Sequence, residues 1–313
     1  MMNFDVLVAF QEHQNPCFAL TERHIVRLRD SFPRQRVVWC RNRDSFVRAL
    51  PEADVALTWE FRQEWFALAP RLRRIATPAA GRDFFPVTPP GSVEIRHGTF
   101  HGPLMGETLL GLMLGFNRRI FDAYRYQLEG RLWPNREIYH APLLAGSHAM
   151  IVGFGHIGMT FGKMLKPLGV RITGVKRTPL ETLPGWFTLE DRVVTVDRMD
   201  GLLPTVDHLI LILPNDTGTT NLFGRERLSL LPEHAVVYNL GRGNCLDEEA
   251  LAECLREGRL GGACLDVFAR EPLESASPLS ENLPGLVRLP HASAYSDVYM
   301  DRFLDEVIEW LEK

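Results

Sequence analysis

No surplus of positive charge is available in this chain: 35 Lys and Arg stand against 39 Asp and Glu, a formal net charge of −4. Nonspecific binding to nucleic acid depends on a basic surface that displaces counterions, so nucleic acid is not an expected partner. Cysteine is sparse. Cys17, Cys40, Cys245, Cys254 and Cys264 are odd in number, scattered, and contain no CxxC pair, which argues against a disulfide framework and against a zinc site. They read as reduced thiols in a cytoplasmic protein that holds no metal. Long hydrophobic runs are also missing, since the longest, from Leu104 to Phe116, is interrupted by Glu107 and falls short of the ~20 residues that span a bilayer. The N-terminal stretch MMNFDVLVAF carries an acidic residue where a signal peptide has basic ones, and its apolar run continues naturally as a first strand. Neither a membrane segment nor a leader is expected.

What remains is a globular composition. The 313 residues are 45% hydrophobic, enough for about two domains, each with its own core. Short strand-like runs alternate with helical ones from the start: Asp5–Phe10, a helix over Thr21–Asp30, Val37–Cys40, a helix over Ser45–Leu50, Val55–Trp59, a helix over Gln63–Ala67, and Arg74–Thr77. Such alternation predicts βαβ units and a parallel sheet. The stretch Phe85–Gly102, rich in Pro, Gly and Thr, reads as a connection out of this first domain. A helix over Pro103–Tyr124 follows, apolar over most of its surface, with Gly106, Gly111 and Gly115 spaced for close approach of another helix. Burial against a second subunit and burial between the two domains both satisfy that pattern. From Ala149 the alternation resumes through AMIVGFG, VRITGV, HLILILP, AVVYNLG, GACLDVF and GLVRLPH, and a helix over Asp297–Lys313 closes the chain.

Gly153-Phe154-Gly155-His156-Ile157-Gly158 matches G-x-G-x-x-G directly after the strand Ala149–Val152 and at the start of a helix running to Leu168. In that context the first glycine permits a tight turn, the second lets backbone approach a pyrophosphate, and the third lets helix and strand pack closely. The helix N-terminus adds N–H donors and the positive end of its dipole. An enzyme for NAD should end the next strand in a carboxylate that accepts from the ribose hydroxyls. Here that strand ends in Lys176-Arg177-Thr178, and two cations suit the additional phosphate of NADP. NADP(H) is therefore the expected cofactor, with NAD(H) as the other possibility.

Three later segments carry an arginine, a carboxylate and a histidine at or just past successive strand ends: Asn239-Leu240-Gly241-Arg242-Gly243, then Asp266-Val267-Phe268-Ala269-Arg270-Glu271-Pro272, and Leu289-Pro290-His291. In a doubly wound sheet these ends face the cofactor crevice. The set resembles the D-isomer-specific 2-hydroxyacid dehydrogenases, whose pattern includes N-x-x-R-G, D-V-F-x-x-E-P and a C-terminal P-H. The resemblance covers nearly the whole chain, because Ala79-Ala80-Gly81-Arg82-Asp83 looks like the family's substrate loop and Leu213-Pro214 with Thr219 looks like its adenosine-side loop. It implies that Arg242, Glu271 and His291 are catalytic, that Asp266 faces the nicotinamide carboxamide, and that Asn239, Leu240 and Gly241 border the cofactor. A glutamate at 271 fits a hydroxyacid enzyme, whereas the related formate dehydrogenases are expected to carry an amide there. Two departures stand out: the basic pair at 176 and 177, and Ala79 where a glycine often starts the substrate loop.

The residue types also have chemical reasons of their own. Hydride transfer at C2 must be matched by proton transfer at its oxygen, for which a histidine titrating near neutrality is best suited. A carboxylate beside it favours imidazolium and fixes the ring. A guanidinium offers a planar fork to the two oxygens of a 2-oxo acid and polarises the carbonyl being reduced. Backbone N–H groups of Ala79, Ala80 and Gly81, arranged as a small nest, would hold the substrate carboxylate together with Arg242 and His291.

The expectation is thus an α/β protein of two Rossmann-like, doubly wound parallel-sheet domains with a cleft between them. Residues 1–100 plus 293–313 would form a discontinuous substrate domain and residues 101–292 the dinucleotide-binding domain. Its function would be reduction of a small 2-oxo acid such as glyoxylate or hydroxypyruvate, in a homodimer. A dinucleotide-sensing corepressor or scaffold on the same fold, and a dehydrogenase of the same superfamily acting on a different small anion, are the alternatives.

Overall fold

The computed structural model describes residues 4–11, 13, 15–133, 136 and 138–313. It separates into two compact units, one formed by Met1–His101 with Tyr295–Lys313, the other by Gly102–Ala294.

In unit 1, β1 (Val6–Phe10), α1 (Glu22–Ser31), β2 (Arg36–Cys40), α2 (Arg43–Ala49), β3 (Val55–Thr58), β4 (Arg74–Thr77) and β5 (Glu94–His97) build a five-stranded sheet of order β2-β1-β3-β4-β5. Every pairing is parallel. The central strands β1, β3 and β4 are buried along their whole length, as expected where both faces of a sheet are covered. Strand β5 lies inside the stretch read from sequence as a connection. Its residues alternate between exposed and half-buried, so an edge strand with charged Glu94 and Arg96 escapes a search for apolar runs. The helix expected at 63–67 is a 3₁₀ segment, Gln63–Leu68.

Unit 2 takes α3 (His101–Asn117) and α4 (Ile120–Leu128), then β6 (His148–Val152), α5 (His156–Leu165), β7 (Arg171–Lys176), β8 (Arg192–Thr195), α6 (Val196–Met199), β9 (His208–Leu211), α7 (Arg225–Ser229), β10 (Val236–Asn239), α8 (Glu248–Arg256), β11 (Gly262–Leu265) and β12 (Leu286–Arg288). The seven strands are parallel, in the order β12-β11-β10-β9-β6-β7-β8. Strand β8, like β5, is short and only half-buried, so it carries no apolar run. The final helix, α9 (Tyr299–Glu312), belongs to unit 1 and buries Phe303, Leu304 and Val307 there.

The helix expected over Pro103–Tyr124 is not continuous. Its backbone breaks at Arg119, which takes the left-handed conformation at φ 55°, and a non-glycine residue there ends a helix. A Cβ on Gly102 would fall 2.7 Å from Thr160 Oγ1 and one on Gly106 2.4 Å from Met164 Sδ, so these two glycines seat α3 directly on α5. Gly111 meets nothing within 4 Å. The buried face of α3, with Met105, Leu109, Leu112 and Met113, joins Phe154, Phe161, Ile172 and Ile210 in one core cluster of unit 2.

Candidate active site

The glycine turn follows β6, and β6 sits where the strand order reverses: β7 and β8 extend to one side, β9 and β10 to the other. That switch point is where an open α/β sheet binds a ligand. Gly153 has φ +99°, and a Cβ there would fall 2.3 Å from the Ile212 carbonyl oxygen, so only glycine fits. A Cβ on Gly158 would fall 2.5 Å from the Gly153 oxygen, which locks helix to turn. Gly155, the N-cap of α5, meets nothing within 4 Å, and the first N–H groups of a helix have no partner within it. Bare backbone donors beside open space suit a dinucleotide pyrophosphate.

The intervening positions divide. Phe154 is fully buried, with its ring against Gly174, Trp186 and Phe187 and its N–H donating to the Val175 carbonyl at 3.0 Å, so its side chain serves the core. His156 is exposed and Ile157 half-buried at the helix start. Lys176 ends β7, with Arg177 and Thr178 exposed beyond it. In the loop after β9, Leu213 and Pro214 lead to Thr219, whose Oγ1 donates to the Pro214 carbonyl at 2.9 Å.

Arg242 sits just past β10 between two glycines that do the positioning. A Cβ on Gly241 would fall 2.5 Å from the Leu213 nitrogen, and one on Gly243 1.9 Å from the Phe268 carbonyl carbon. The segment is therefore wedged between the loops that follow β9 and β11. Fully buried Asn239 fixes its turn, donating from Nδ2 to the Arg242 carbonyl at 3.1 Å and accepting from the Gly241 N–H at 3.2 Å. The Cys245 thiol donates to the same carbonyl at 3.1 Å. The Arg242 guanidinium donates to the Gly241 carbonyl at 2.8 Å through Nη1.

His291 and Glu271 meet directly, with Nδ1 and Oε2 2.7 Å apart, and both side chains remain about one-third exposed. The other carboxylate oxygen of Glu271 accepts from the Phe268 N–H at 3.0 Å. His291 is in the left-handed region at φ 53°, a strain that persists only where surrounding bonds impose it. They do: His291 N–H donates to the Asp266 carbonyl at 2.9 Å, and the Ala292 and Ser293 N–H groups donate to the two Asp266 carboxylate oxygens at 2.6 and 3.0 Å. Thr108 of α3 ties down the Ser293 carbonyl at 2.9 Å. Asp266 is only 1% exposed, so its structural office is to hold the histidine segment.

These contacts move both titrations. The hydrogen bond to Glu271 raises the His291 pKa, against burial and the Arg242 charge, which lower it, and Asp266 adds to the rise. Burial alone would raise the Glu271 pKa, but hydrogen bonds from His291 and the Phe268 N–H, with the charges of His291 and Arg242, leave it below the ordinary value. The result is a histidine–carboxylate pair in which each partner favours the charged form of the other, within electrostatic reach of a guanidinium, at the carboxyl edge of the same sheet as the glycine turn.

In unit 1 the loop after β4 holds Ala79, Ala80 and Gly81. None of the three has positive φ, and Gly81 is extended at φ −82° and ψ 134°, so the alternation of right- and left-handed residues that makes a nest is not there. The Ala79 N–H turns to Thr77 Oγ1 at 3.4 Å and its carbonyl faces His97 Nδ1 at 3.3 Å. Sequence reasoning also passed over Asn244, whose side-chain amide reaches Thr219 Oγ1 at 3.3 Å and joins the arginine loop to the loop after β9. Its place beside N-x-x-R-G was the available signal. Gly243 lay inside that motif, but its contact with Phe268 has no local signature.

A parallel sheet with a glycine turn at its switch point and a histidine–carboxylate pair past its strand ends defines a nicotinamide-dinucleotide oxidoreductase. The chain belongs to the D-isomer specific 2-hydroxyacid dehydrogenase family: the family's NAD binding domain matches residues 110–293, more than half of the chain. A glyoxylate reductase of Korarchaeum cryptofilum (strain OPF8) is 30% identical over 272 residues, 81% of this chain and 76% of that protein. A glyoxylate/hydroxypyruvate reductase B of Pectobacterium carotovorum subsp. carotovorum (strain PC1) is 31% identical over 233 residues, 71% and 69% of the two chains. Among solved structures, the D-isomer specific 2-hydroxyacid dehydrogenase of Xanthobacter autotrophicus Py2, in complex with NADPH and MES, superimposes with a TM-score of 0.80 at 25% identity, over 98% of this chain and 95% of that one.

The wedge predicts its own test. Gly243→Ala pushes a methyl group into the Phe268 backbone, costing about 1–3 kcal/mol, and lowers kcat by displacing Arg242. Unchanged denaturant midpoint and turnover in that variant would refute the packing argument.

Proposed function

We propose that this protein reduces small 2-oxo acids of the glyoxylate and hydroxypyruvate class to their 2-hydroxy acids, with NADPH as the preferred reductant. The observation that carries the proposal is the 2.7 Å contact between His291 and Glu271 in the field of Arg242. Residues 1–100 with 293–313 act as the substrate domain and residues 101–292 as the dinucleotide domain. Within the latter, Gly153, Phe154, Gly155, His156, Ile157 and Gly158 receive the pyrophosphate mainly through backbone groups. Leu213, Pro214 and Thr219, with Asn239, Leu240, Gly241 and Asp266, border the rest of the cofactor.

NADPH supplies the hydride. His291, with Nδ1 committed to Glu271, passes a proton from Nε2 to the oxygen of the carbonyl as it is reduced. Glu271 keeps that imidazolium charged and oriented, and Arg242 binds the 2-oxo acid and stabilises the negative charge growing on its oxygen. Ala80 and the extended Gly81 contribute N–H groups to the substrate carboxylate, and Ala79, whose own N–H turns to Thr77, lines the loop beside them. An assay of NADPH oxidation with a panel of 2-oxo acids separates this activity from a sensing or scaffolding role, in which no acid is reduced. His291→Gln lowers kcat by about 10² to 10⁴ while cofactor binding survives. Because His291 must be protonated to reduce and its pKa is raised, kcat in this direction declines as pH climbs through a midpoint above 6.5, and Glu271→Gln brings the midpoint down. Near-normal turnover of His291→Gln, or a midpoint unmoved by Glu271→Gln, sinks the assignment.

The preference for NADPH rests on Lys176 and Arg177, which put two cations where a carboxylate would repel the extra phosphate. The kcat/KM ratio of NADPH to NADH exceeds one, and replacing both residues by serine lowers it by about tenfold or more. A wild-type ratio below one would overturn the preference.

A homodimer, in the cytoplasm, completes the reading. Exposed apolar side chains gather on α4 and beyond it, with Tyr124 61%, Leu128 70%, Leu132 76% and Trp133 85% exposed, a concentration that marks an interaction surface. The five cysteines carry no disulfide, and among the described residues no helix is long and apolar enough to cross a membrane. Light scattering should return twice the 35.6 kDa chain mass, and Trp133→Glu should return one chain mass. A monomeric wild type contradicts the dimer.

A further inference from the structure

At the amino edge of the seven-stranded sheet, opposite the edge that carries the glycine turn, unit 2 holds a cavity of about 430 Å³. It lies between the end of α3 at Phe116 and Asn117 and the residues that lead into β6, β9 and β10, namely Ser147, Asp207 and His234. Strand β6 alone, five residues long, puts about 13 Å between the two edges at ~3.3 Å per residue, so the cavity is no part of the cofactor crevice. Its volume falls within the roughly 300–1,000 Å³ of small-molecule sites.

Two of the lining residues, His208 and Asn117, are only 3% and 6% exposed. His208 Nδ1 pairs with the Tyr238 hydroxyl at 3.2 Å, but among the described residues His208 Nε2 and the Asn117 amide have no hydrogen-bond partner. Neither is sealed in protein, so the little surface that each keeps opens on the cavity. The phenol fixes which nitrogen of the histidine carries the proton. Tyr238 is fully buried and its hydroxyl has His208 as its one partner among the described residues, so it donates to Nδ1 and leaves the ring proton on Nε2. Burial lowers the His208 pKa to about 4, which keeps the ring neutral. The cavity therefore meets an N–H donor from His208 and, from Asn117, an acceptor beside a donor.

The charged groups around it are already engaged. Arg119 donates from Nε to the His140 carbonyl at 3.0 Å and from Nη1 to Asp122 at 3.4 Å. Asp207 takes His234 Nε2 on one oxygen and the His148 N–H on the other, both at 2.7 Å. A net charge on the ligand is thus not called for. Apolar surface completes the lining: the ring of Phe116, set edge-on to Tyr238 at 6.0 Å, Val236, and Leu143, which is 71% exposed. Apolar walls around a few convergent polar groups suit a ligand with apolar faces and one polar edge.

We infer that this cavity is a binding site for an uncharged, planar ring compound with a lactam edge, an N–H next to a carbonyl. The N–H of that edge donates to Asn117 Oδ1, while the carbonyl accepts from Asn117 Nδ2 and His208 Nε2 on its two lone pairs. The site is separate from the proposed reduction and does not depend on it. A site built to bond an N–H discriminates against the analogue lacking it, because its own polar group is then left unpaired.

The probe is isocarbostyril, a planar bicycle with that edge, titrated calorimetrically into the full chain saturated with NADPH so that the cofactor crevice is closed to it. One molecule should bind per chain. N-methylisocarbostyril, which lacks the N–H, and naphthoate, an anion of similar size, should each bind more weakly by about tenfold or more. Asn117→Leu should weaken isocarbostyril by about the same factor and leave the affinity for NADPH unchanged. His208→Phe combined with Tyr238→Phe, which leaves no phenol unpaired, should do the same, with thermal melting to confirm that each variant folds. No binding of isocarbostyril, an affinity matched by the methylated analogue or exceeded by naphthoate, or an affinity unmoved in both variants overturns the site. The comparison of probes on the wild type decides the matter even where a variant fails to fold.

Discussion

Backbone-to-backbone contact between neighbouring loops is the constraint on which the site depends. Parallel strands 4.7–4.9 Å apart deliver their loops side by side, and the loops after β9, β10 and β11 approach so closely that Gly241 and Gly243 have no room for a side chain. Arg242 stands between them and inherits their rigidity. One loop further, Phe268, against which Gly243 packs, presents its N–H to Glu271, so the same contact that seats the arginine also aims the carboxylate. Asp266, on the same loop, seats the histidine segment. Three side chains distant in sequence are thus referred to a single short stretch of backbone, 266–271.

That arrangement explains the electrostatics. Asp266 is a buried carboxylate satisfied by two backbone N–H groups, and its charge, like that of Glu271, favours the imidazolium. The two shifts also have opposite consequences for folding. The raised pKa of His291 stabilises the native state fully below 6.5 and loses that contribution as pH rises through the folded value. The lowered pKa of Glu271 contributes above 4.5 and loses it as pH falls through its own folded value. The pair therefore supports the fold best between those limits. With both side chains more than one-third exposed, solvent screening keeps the stabilisation small.

Much of this was legible in the chain, and the boundary of legibility is physical. The fingerprint at Gly153–Gly158 was readable because each glycine answers a local demand, and the spacing of Arg242, Glu271 and His291 was readable because strand ends in a doubly wound sheet share an edge. Edge strands β5 and β8 were not, since half-buried residues carry no apolar run, and the break at Arg119 has no proline or glycine to announce it. The resemblance assigns Asp266 to the cofactor and carries no sign of its second contact, since both its oxygens also accept from a segment 26 and 27 residues away. A hydrogen bond of that reach leaves no periodicity. Phe154 illustrates the converse: its position inside the fingerprint marks it as a cofactor residue, while the bare face of Gly174, on which a Cβ would fall 2.4 Å from the ring, admits the side chain into the core.

Chemistry and selectivity are consequently encoded in different currencies. The positions that fix Arg242, Glu271 and His291 are backbone contacts and buried hydrogen bonds, where almost any substitution collides or leaves a polar group unpaired. Lys176 and Arg177, on which the proposed choice of dinucleotide rests, are half-exposed and exposed at a strand end. Surface exchanges of that kind cost little stability. A fold built this way can vary the tips of its strands while the packed loops beneath keep Arg242, Glu271 and His291 in place. It follows that motifs made of glycine and buried polar residues report the reaction, whereas the reductant must be read from side chains that no motif protects.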